Sequence, residues 1–460
     1  MTATKAEAVT ASLSRVQDPY EVPSRRDAVV RTLTAFLGGP TGRHAVVGAR
    51  GLAGVAAALA VVGSAFLALG VWQKGYCLAQ GWSNPDQFWR MCYSDVPVLH
   101  VTSGLSERAL PYFDASPSDQ PPLSGVALWV ISLISPEAGT HLAAQRWVFG
   151  LWAVAATLLL AAAVVAAVAL RHRHPWQAAH LAASPVLVAL ALVSTDLLGV
   201  AMTLWALWAW RTGRLGTAGA LFGLAALVRP YPLVFLAAVV LVSLRRGRPL
   251  ERLLGSAAVA VGVVFVPMLV VEEGVLQPFR AWWATAPGYG GLSLVPHLLG
   301  QPLSARTATG IALAGWAAAL ALGAALTYRS HRTPGVIRVA APMLLVVVLT
   351  AKSVPVQTGL WLLPVLALSA VPWRDHLLWA AAELAHFVTV WLHIGFGSDP
   401  GKGLPGDTYA LFVLLRMAGW AWVVWQVSTL VPARDPAPAD GPGYGTTSSL
   451  PVVEPEPRSA

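Results

Sequence analysis

Residues 147–170 read WVFGLWAVAATLLLAAAVVAAVAL, an apolar run without a charged side chain. The hydrocarbon core of a bilayer is ~30 Å thick, and an α-helix needs about 20 apolar residues to cross it. The run ends at Arg171-His172-Arg173-His174, and basic residues accumulate on the cytoplasmic side of membranes. This stretch therefore predicts a transmembrane helix and also gives its direction.

Similar apolar runs recur along the whole chain. Of its 460 residues, 56% are hydrophobic and 12% charged, and the mean hydropathy is +0.61. Soluble domains carry about 25% charged residues, so an ordinary soluble enzyme is excluded. We predict an all-α polytopic membrane protein with about 12 transmembrane helices, in a range of about 10 to 13. The predicted spans are 51–73, 147–170, 178–195, 197–210, 215–228, 231–244, 253–271, 307–328, 336–350, 354–371, 377–393 and 407–431.

The ends of the chain and its first loop set the topology. The basic segment 1–50 is too long for a cleaved signal peptide, so we expect it to stay attached and to lie in the cytoplasm. We also expect it to be largely disordered. The acidic segment 74–122 then forms a structured first outer loop. Residues 123–135 are apolar but short. A transmembrane span there would place the basic residues 171–174 outside, against the positive-inside rule, so we predict an interfacial helix instead. The Pro-rich tail 432–460 reads as disordered.

The net charge of +9 reports this topology rather than a nucleic-acid partner. The assignment puts both termini in the cytoplasm and most of the 31 Lys and Arg residues on the inner side. Spans 197–210, 215–228 and 231–244 are short, and whether they cross completely stays open. Residues 51–431 form one membrane-embedded domain in this interpretation.

Four charged residues lie near the predicted outer face: Asp95 in the first outer loop, and Asp196, Arg229 and Lys352 at the ends of apolar runs. Charges are costly in membranes and often mark functional sites there. Two carboxylates and two cations at the same depth in the membrane suggest a site that binds a phosphate and moves a proton. Arg229 and Lys352 are the expected phosphate ligands. The alternative is that each simply lies in a turn facing water.

Several neighbouring side chains are candidates for lining this site. Tyr93 and Tyr231 stand next to the charged residues in sequence, and His386 and His393 share one predicted helix face. The sequence contains no phosphate-binding loop of the Walker type, no dinucleotide fingerprint and no His-Glu-x-x-His motif. We therefore expect neither a metal nor another cofactor.

Two pairs of residues are expected to stabilise the fold. Cys77 and Cys92 are the only cysteines and fall in the outer loop, an oxidising place, so a disulfide is predicted, with two free thiols as the alternative. Glu383 and Arg416 lie at matching depths of adjacent spans and should form a structural ion pair, with a proton path as the alternative. Reversing both charges should then restore expression lost in either single reversal.

The chain resembles a known family at two blocks. The first is YC at residues 76–77, GW at 81–82 and MCYSDVP at 91–97, and the second runs from SP at 184–185 through STDLL at 194–198 to VRPYP at 228–232. Both are similar to actinobacterial proteins of glycosyltransferase family 87, the DUF2029 group. The family commonly has Lys where Arg229 stands.

This resemblance implies a GT-C fold in a bacterial plasma membrane with the active site outside. It implies transfer of a hexose, first of all mannose, from a polyprenyl-phosphate sugar to a glycolipid or glycan acceptor of the cell envelope. The usual base is an acidic residue of the first outer loop, which Asp95 matches, with Asp196 as the next candidate. The alternatives are a flippase or transporter for lipid-linked sugars and a non-catalytic protein of envelope assembly.

Overall fold

The structure is a computed structural model that describes residues 49–113, 118–271 and 273–429. Regular secondary structure in these ranges is entirely helical. The α-helices are α1 Ala49–Gln73, α2 Gly75–Gln80, α3 Asp86–Trp89, α4 Asp95–Thr102, α5 Pro122–Ile134, α6 Leu142–Leu170, α7 Ala179–Ala182, α8 Val186–Leu190, α9 Asp196–Arg211, α10 Leu215–Ala226, α11 Pro232–Arg245, α12 Glu251–Val271, α13 Gln277–Ala284, α14 Val295–Leu298, α15 Ala305–Arg329, α16 Val336–Thr350, α17 Leu363–Ala367, α18 Trp373–Phe396 and α19 Gly406–Thr429.

Contacts divide the chain into residues 1–54 and residues 55–460. The described part of the first unit is only the beginning of α1. The predicted terminal segments 1–50 and 432–460 lie outside the described residues, apart from residues 49 and 50. The site described below belongs to the second unit.

In the part of the chain that the structure describes, six helices are long and apolar enough to cross a membrane by length and composition: α1, α6, α12, α15, α18 and α19. Shorter apolar helices accompany them, including α5, α10, α11 and α16. The predicted all-α polytopic membrane fold is therefore confirmed. The outer loop is structured as expected, with α2, α3, α4 and a 3₁₀ turn at Leu105–Glu107. The segment predicted to lie at the interface forms helix α5, which has Pro122 at its first position, where a proline costs no hydrogen bond.

Two of the predicted spans are not continuous transmembrane helices. Segment 178–195 consists of α7, a break at residues 183–185, α8 and a run of turns, while segment 354–371 holds a 3₁₀ helix at Val356–Leu362 that continues as α17. Their apolar composition suggested spans, but Pro185, Pro355 and Pro364 interrupt regular hydrogen bonding. The two segments pack against each other inside the protein, and residues 189–197 and 356–367 are buried throughout. Irregular backbone at membrane depth is tolerated in such protein-lined surroundings.

Close helix packing surrounds this interior. Helix α10 carries Gly219 and Gly223 four residues apart and packs on α12. A Cβ atom at Gly219 would lie 1.9 Å from the carbonyl oxygen of Leu253, and one at Gly223 would lie 2.5 Å from that of Ala257. The pair therefore works as a small-xxx-small contact that brings two helix backbones together.

Candidate active site

Asp95 begins α4 and is tied to the turn that precedes α9. The backbone N–H of Asp95 donates to the Val193 carbonyl oxygen at 2.7 Å, and the Ser94 hydroxyl donates to Leu192 at 2.7 Å. Ser94 has an extended backbone, so the chain enters α4 directly from this contact. The first outer loop is thereby fixed to the turn that carries Asp196.

The Asp95 side chain is half-buried and lies in a charged neighbourhood. Burial raises the pKa of its carboxyl group to about 6. The Arg229 guanidinium and a hydrogen bond from the Tyr93 hydroxyl oppose this rise, whereas the charges of Asp196 and Asp119 add to it. A carboxylate with a pKa close to physiological pH is suited to accept a proton.

Asp196 lies in the same cluster but has a different environment. Its side chain is 1% exposed. It accepts hydrogen bonds from the Ser194 hydroxyl at 2.6 Å, the Trp361 indole N–H at 2.6 Å and the Arg229 Nε at 3.1 Å. Three donors therefore occupy its two oxygens and hold the Asp196 side chain in place as an enclosed acceptor.

Arg229 lies in the turn between α10 and α11 and keeps part of its guanidinium open. Its Nε binds Asp196, and its Nη2 reaches the Gln120 side-chain oxygen at 3.4 Å, while the side chain stays 17% exposed. The beginning of α5 contacts the same turn, because Leu123 N donates to Leu227 O at 3.0 Å and Ser124 Oγ to Val228 O at 3.0 Å. The interfacial helix, the α10–α11 turn and Asp196 thus form one corner.

The outer loop contains a disulfide between Cys77 and Cys92, with both cysteines fully buried. The Trp82 indole donates to the Cys92 carbonyl oxygen at 3.0 Å. Tyr93, next to Cys92, packs 4.9 Å from the Trp391 ring and also contacts Phe88. The disulfide and these aromatic rings hold the segment that leads to Asp95 in place.

Lys352 follows α16 and has partners that differ from those of Arg229. Its ammonium donates to the carbonyl oxygens of Trp282 at 2.6 Å and Trp283 at 3.3 Å, and to the Thr309 hydroxyl at 2.9 Å. It also lies 5.3 Å from the Trp282 ring. An ammonium group has three protons, so these contacts occupy all of them and fix the end of α13 against α15.

Glu383 and Arg416 form an ion pair with both side chains fully buried, at 3.0 Å. The guanidinium also donates to the carbonyl oxygens of Val354, Pro355 and Val356. Glu383 accepts a further bond from the Trp420 indole at 2.5 Å. The pair therefore satisfies backbone carbonyls that the irregular segment before Val356–Leu362 leaves free.

The histidines predicted to line the site lie along α18. His386 Nε2 is 3.1 Å from the Tyr409 hydroxyl, and His393 stacks on Tyr409 with ring centroids 4.6 Å apart. His393 also lines a cavity of about 270 Å³ together with Tyr289 and His297. Tyr231 instead lies at the Asp196 corner, with its hydroxyl 3.3 Å from that of Thr358.

Three members of the site escaped the sequence analysis. Trp361 stands in an apolar run, so nothing in the pattern marked it as a partner of Asp196. Lys74 is the first residue of the polar segment after the first predicted span, and its position alone does not mark it, yet it is fully buried and its ammonium donates to the Tyr93 carbonyl oxygen. Gln120 lies between Asp119 and two prolines, and this position is the feature of the sequence that could have marked it as a site residue. Among the described residues, no group of three or more His, Cys, Asp or Glu side chains is arranged to hold a metal ion.

The described residues thus form an all-helical membrane protein in which two carboxylates and a partly open arginine lie at one corner. The model of glycosyltransferase family 87 matches residues 121–354, about half of the chain. The chain therefore belongs to this family and is a membrane glycosyltransferase. No curated protein and no solved structure shows a significant match. The matched region includes Asp196, Arg229 and Lys352, and Asp95 precedes it.

Proposed function

We propose that the protein transfers a hexose, in the first place mannose, from a polyprenyl-phosphate sugar to a lipid or glycan acceptor. The reaction takes place at the outer face of a bacterial plasma membrane, with both termini in the cytoplasm. Family membership supports the glycosyl transfer, and the loop position of Asp95 supports the side of the membrane. The donor and acceptor classes follow from the resemblance of the two sequence blocks.

The observation that carries this proposal is the contrast between the two carboxylates. Asp196 is enclosed by three donors, whereas Asp95 is half-buried and has a pKa of about 6. A general base must reach the proton that it removes, within roughly 2.6–3.2 Å. Asp95 therefore acts as the base in this proposal, and Asp196 orients Arg229.

The chemistry needs one proton transfer and one displacement. The Asp95 carboxylate takes the proton of the acceptor hydroxyl, whose oxygen forms a bond to the anomeric carbon of the sugar. The bond between that carbon and the phosphate oxygen breaks, and polyprenyl phosphate leaves with the bonding electrons. The configuration at the carbon is inverted, and the open side of Arg229 stabilises the charge on the departing phosphate.

Lys352 has a less direct role in phosphate binding than Arg229. Its protons are bound to Trp282, Trp283 and Thr309, so a phosphate would have to replace these partners. Its assignment as a second phosphate ligand stays a prediction. Metal and other cofactors have no part in the proposed steps.

The test uses the full-length protein in lipid nanodiscs with radiolabelled polyprenyl-phosphate mannose and a lipid extract as acceptor source. Asp95→Asn keeps the size of the side chain and removes its basicity, so we expect transfer to fall at least about 100-fold, the lower end of general-base contributions. Asp86→Asn is the matched control in the same loop, and it should retain transfer close to the wild-type rate.

Three other results would contradict the proposal, and each would favour a different alternative. An active Asp95→Asn protein would contradict the assignment of the base and direct the search to Asp196. Movement of labelled lipid across the membrane without transfer would favour the flippase. Absence of both, with donor binding retained, would favour the non-catalytic protein of envelope assembly.

A further inference from the structure

Lys74 is the first residue after α1, and its side chain is fully buried. Its ammonium donates to the carbonyl oxygen of Tyr93 at 2.9 Å and to that of Met91 at 3.5 Å, and it lies 5.2 Å from the Phe387 ring. Across the three described ranges, no carboxylate lies within ion-pair distance of it. A buried charge without a direct counter-ion is unfavourable, so its presence needs a physical reason.

Asp95 is the anion that acts on this ammonium. Burial lowers the pKa of Lys74 to about 7, and the attraction of the Asp95 carboxylate opposes that fall. A Coulombic attraction favours the charged form of both partners, so the same interaction acts on Asp95, where the Arg229 guanidinium is the larger influence. Asp95 is also faced by Arg229 and Tyr93, which favour its ionised form, and by Asp196 and Asp119, which disfavour it.

We propose that Lys74 is a positioning residue for Asp95, holding the chain at residues 91–93 by hydrogen bonds and keeping the carboxylate ionised by its charge. Tyr93, whose carbonyl oxygen Lys74 binds, also donates its hydroxyl to Asp95. One side chain therefore contacts the backbone that precedes the base and adds a positive charge to its surroundings. This inference rests on the proposed function.

Gln73 offers a matched control for the charge. Its side-chain amide donates to the same Met91 carbonyl oxygen at 2.6 Å, but it is neutral. Gln73→Met removes one hydrogen bond to this stretch and Lys74→Met removes two, and only the second variant also removes a positive charge. Lys74→Arg keeps the charge, since a guanidinium stays protonated.

The experiment measures kcat/KM for transfer against pH in nanodiscs. Loss of a nearby positive charge raises the pKa of a carboxylate, so Lys74→Met should move the acid limb upward by on the order of one pH unit. In Gln73→Met the limb should stay in place, and Lys74→Arg should restore it. An unmoved limb in Lys74→Met, or an equal shift in Gln73→Met, would overturn the role of the charge.

A second measurement needs no Lys74 variant and no activity. The chain has only four lysines, so the ¹³Cε resonance of Lys74 can be followed by NMR in lysine-labelled protein. Asp95→Asn should lower the pKa of Lys74 relative to the wild type, and an unchanged Lys74 titration would refute the coupling. Coupling without any transferase activity would leave the pair intact and remove the proposed function instead.

Discussion

Asp95 and Asp196 are carboxylates of one cluster, but their surroundings give them opposite chemical properties. Asp196 accepts three hydrogen bonds, including one from the Trp361 indole. Hydrogen bonds to a carboxylate occupy the lone pairs with which it could accept a proton. Asp95 has fewer partners and a pKa raised to about 6 by burial. The activity should therefore fall as the pH drops through about 6, because Asp95 becomes protonated.

At the same scale, Glu383 and Arg416 should not be exchangeable. In the double variant Glu383→Arg with Arg416→Glu, the new carboxylate would face the carbonyl oxygens of Val354, Pro355 and Val356. Like partial charges repel there, and the new guanidinium would meet the Trp420 N–H. We therefore expect the double variant to express no better than either single reversal, which revises the expectation from sequence.

The measurement is the yield of folded, monodisperse protein after extraction. Breaking a buried pair costs about 3–5 kcal/mol, so each single reversal should lower this yield severely. The exposed pair of Glu273 and Arg280 is the control, and the same exchange there should have little effect. Recovery of the yield in the buried double variant would show that the carbonyl contacts are dispensable.

At the scale of elements, Lys352 links α13 to α15. Helix α13 has only eight residues, and isolated helices of that length are unstable in water. Its last carbonyl groups need partners, and Lys352 supplies them at Trp282 and Trp283. The structure therefore gives this cation a role in holding the amphipathic helix α13 against α15.

Lys352→Met should loosen α13 while leaving donor binding intact. Hydrogen bonds to charged groups contribute about 1.5–3 kcal/mol, so amide exchange in residues 277–284 should accelerate by at least about ten-fold. Hydrogen-exchange mass spectrometry in nanodiscs measures this, together with the KM for the lipid donor. Thr309→Val, which removes one of the three acceptors, should give a smaller effect in the same direction.

The opposite result has a definite meaning. Unchanged exchange in α13 combined with a raised donor KM would assign Lys352 to the phosphate, as the sequence analysis predicts. The two roles are therefore separated by one pair of measurements on one variant.

At the scale of the whole molecule, three distant parts of the chain meet at Gly290. Its φ is +77°, and a Cβ atom there would lie 2.1 Å from the Val354 carbonyl oxygen and 2.7 Å from Arg416 Nη1. The neighbouring Tyr289 carbonyl oxygen accepts the Val354 N–H at 3.0 Å. Only glycine fits this crossing without a shift of the backbone.

Gly290→Ala should therefore destabilise the protein much more than Gly300→Ala. Both glycines have positive φ, but a Cβ atom at Gly300 would meet no atom within 4 Å. Left-handed backbone alone costs an alanine about 1 kcal/mol or more, and Gly290→Ala adds the steric conflict. Thermal unfolding in detergent measures the difference, and equal midpoints would mean that the Gly290 loop can move away at little cost.

The sequence was informative where charges interrupt apolar runs. Asp196 and Arg229 stand out in this way, Asp95 stands out through the resemblance of its loop, and the structure brings the three together. The same signal selected Lys352, whose partners differ, because a charge pattern gives depth in the membrane and not neighbours. Trp361 and Lys74 carried no distinguishing pattern. Segments 178–195 and 354–371 have span-like hydropathy, and only their prolines indicated the breaks.

These two segments also constrain the order of events during biosynthesis. Residues 189–197 leave the ribosome long before residues 356–367, against which the first irregular segment packs. Until translation reaches the second segment, the first lacks the neighbour that shields its backbone from lipid. The insertion machinery must therefore retain it, or the nascent chain must keep it near water, so nascent chains that end before residue 356 should be preferred substrates for membrane quality control.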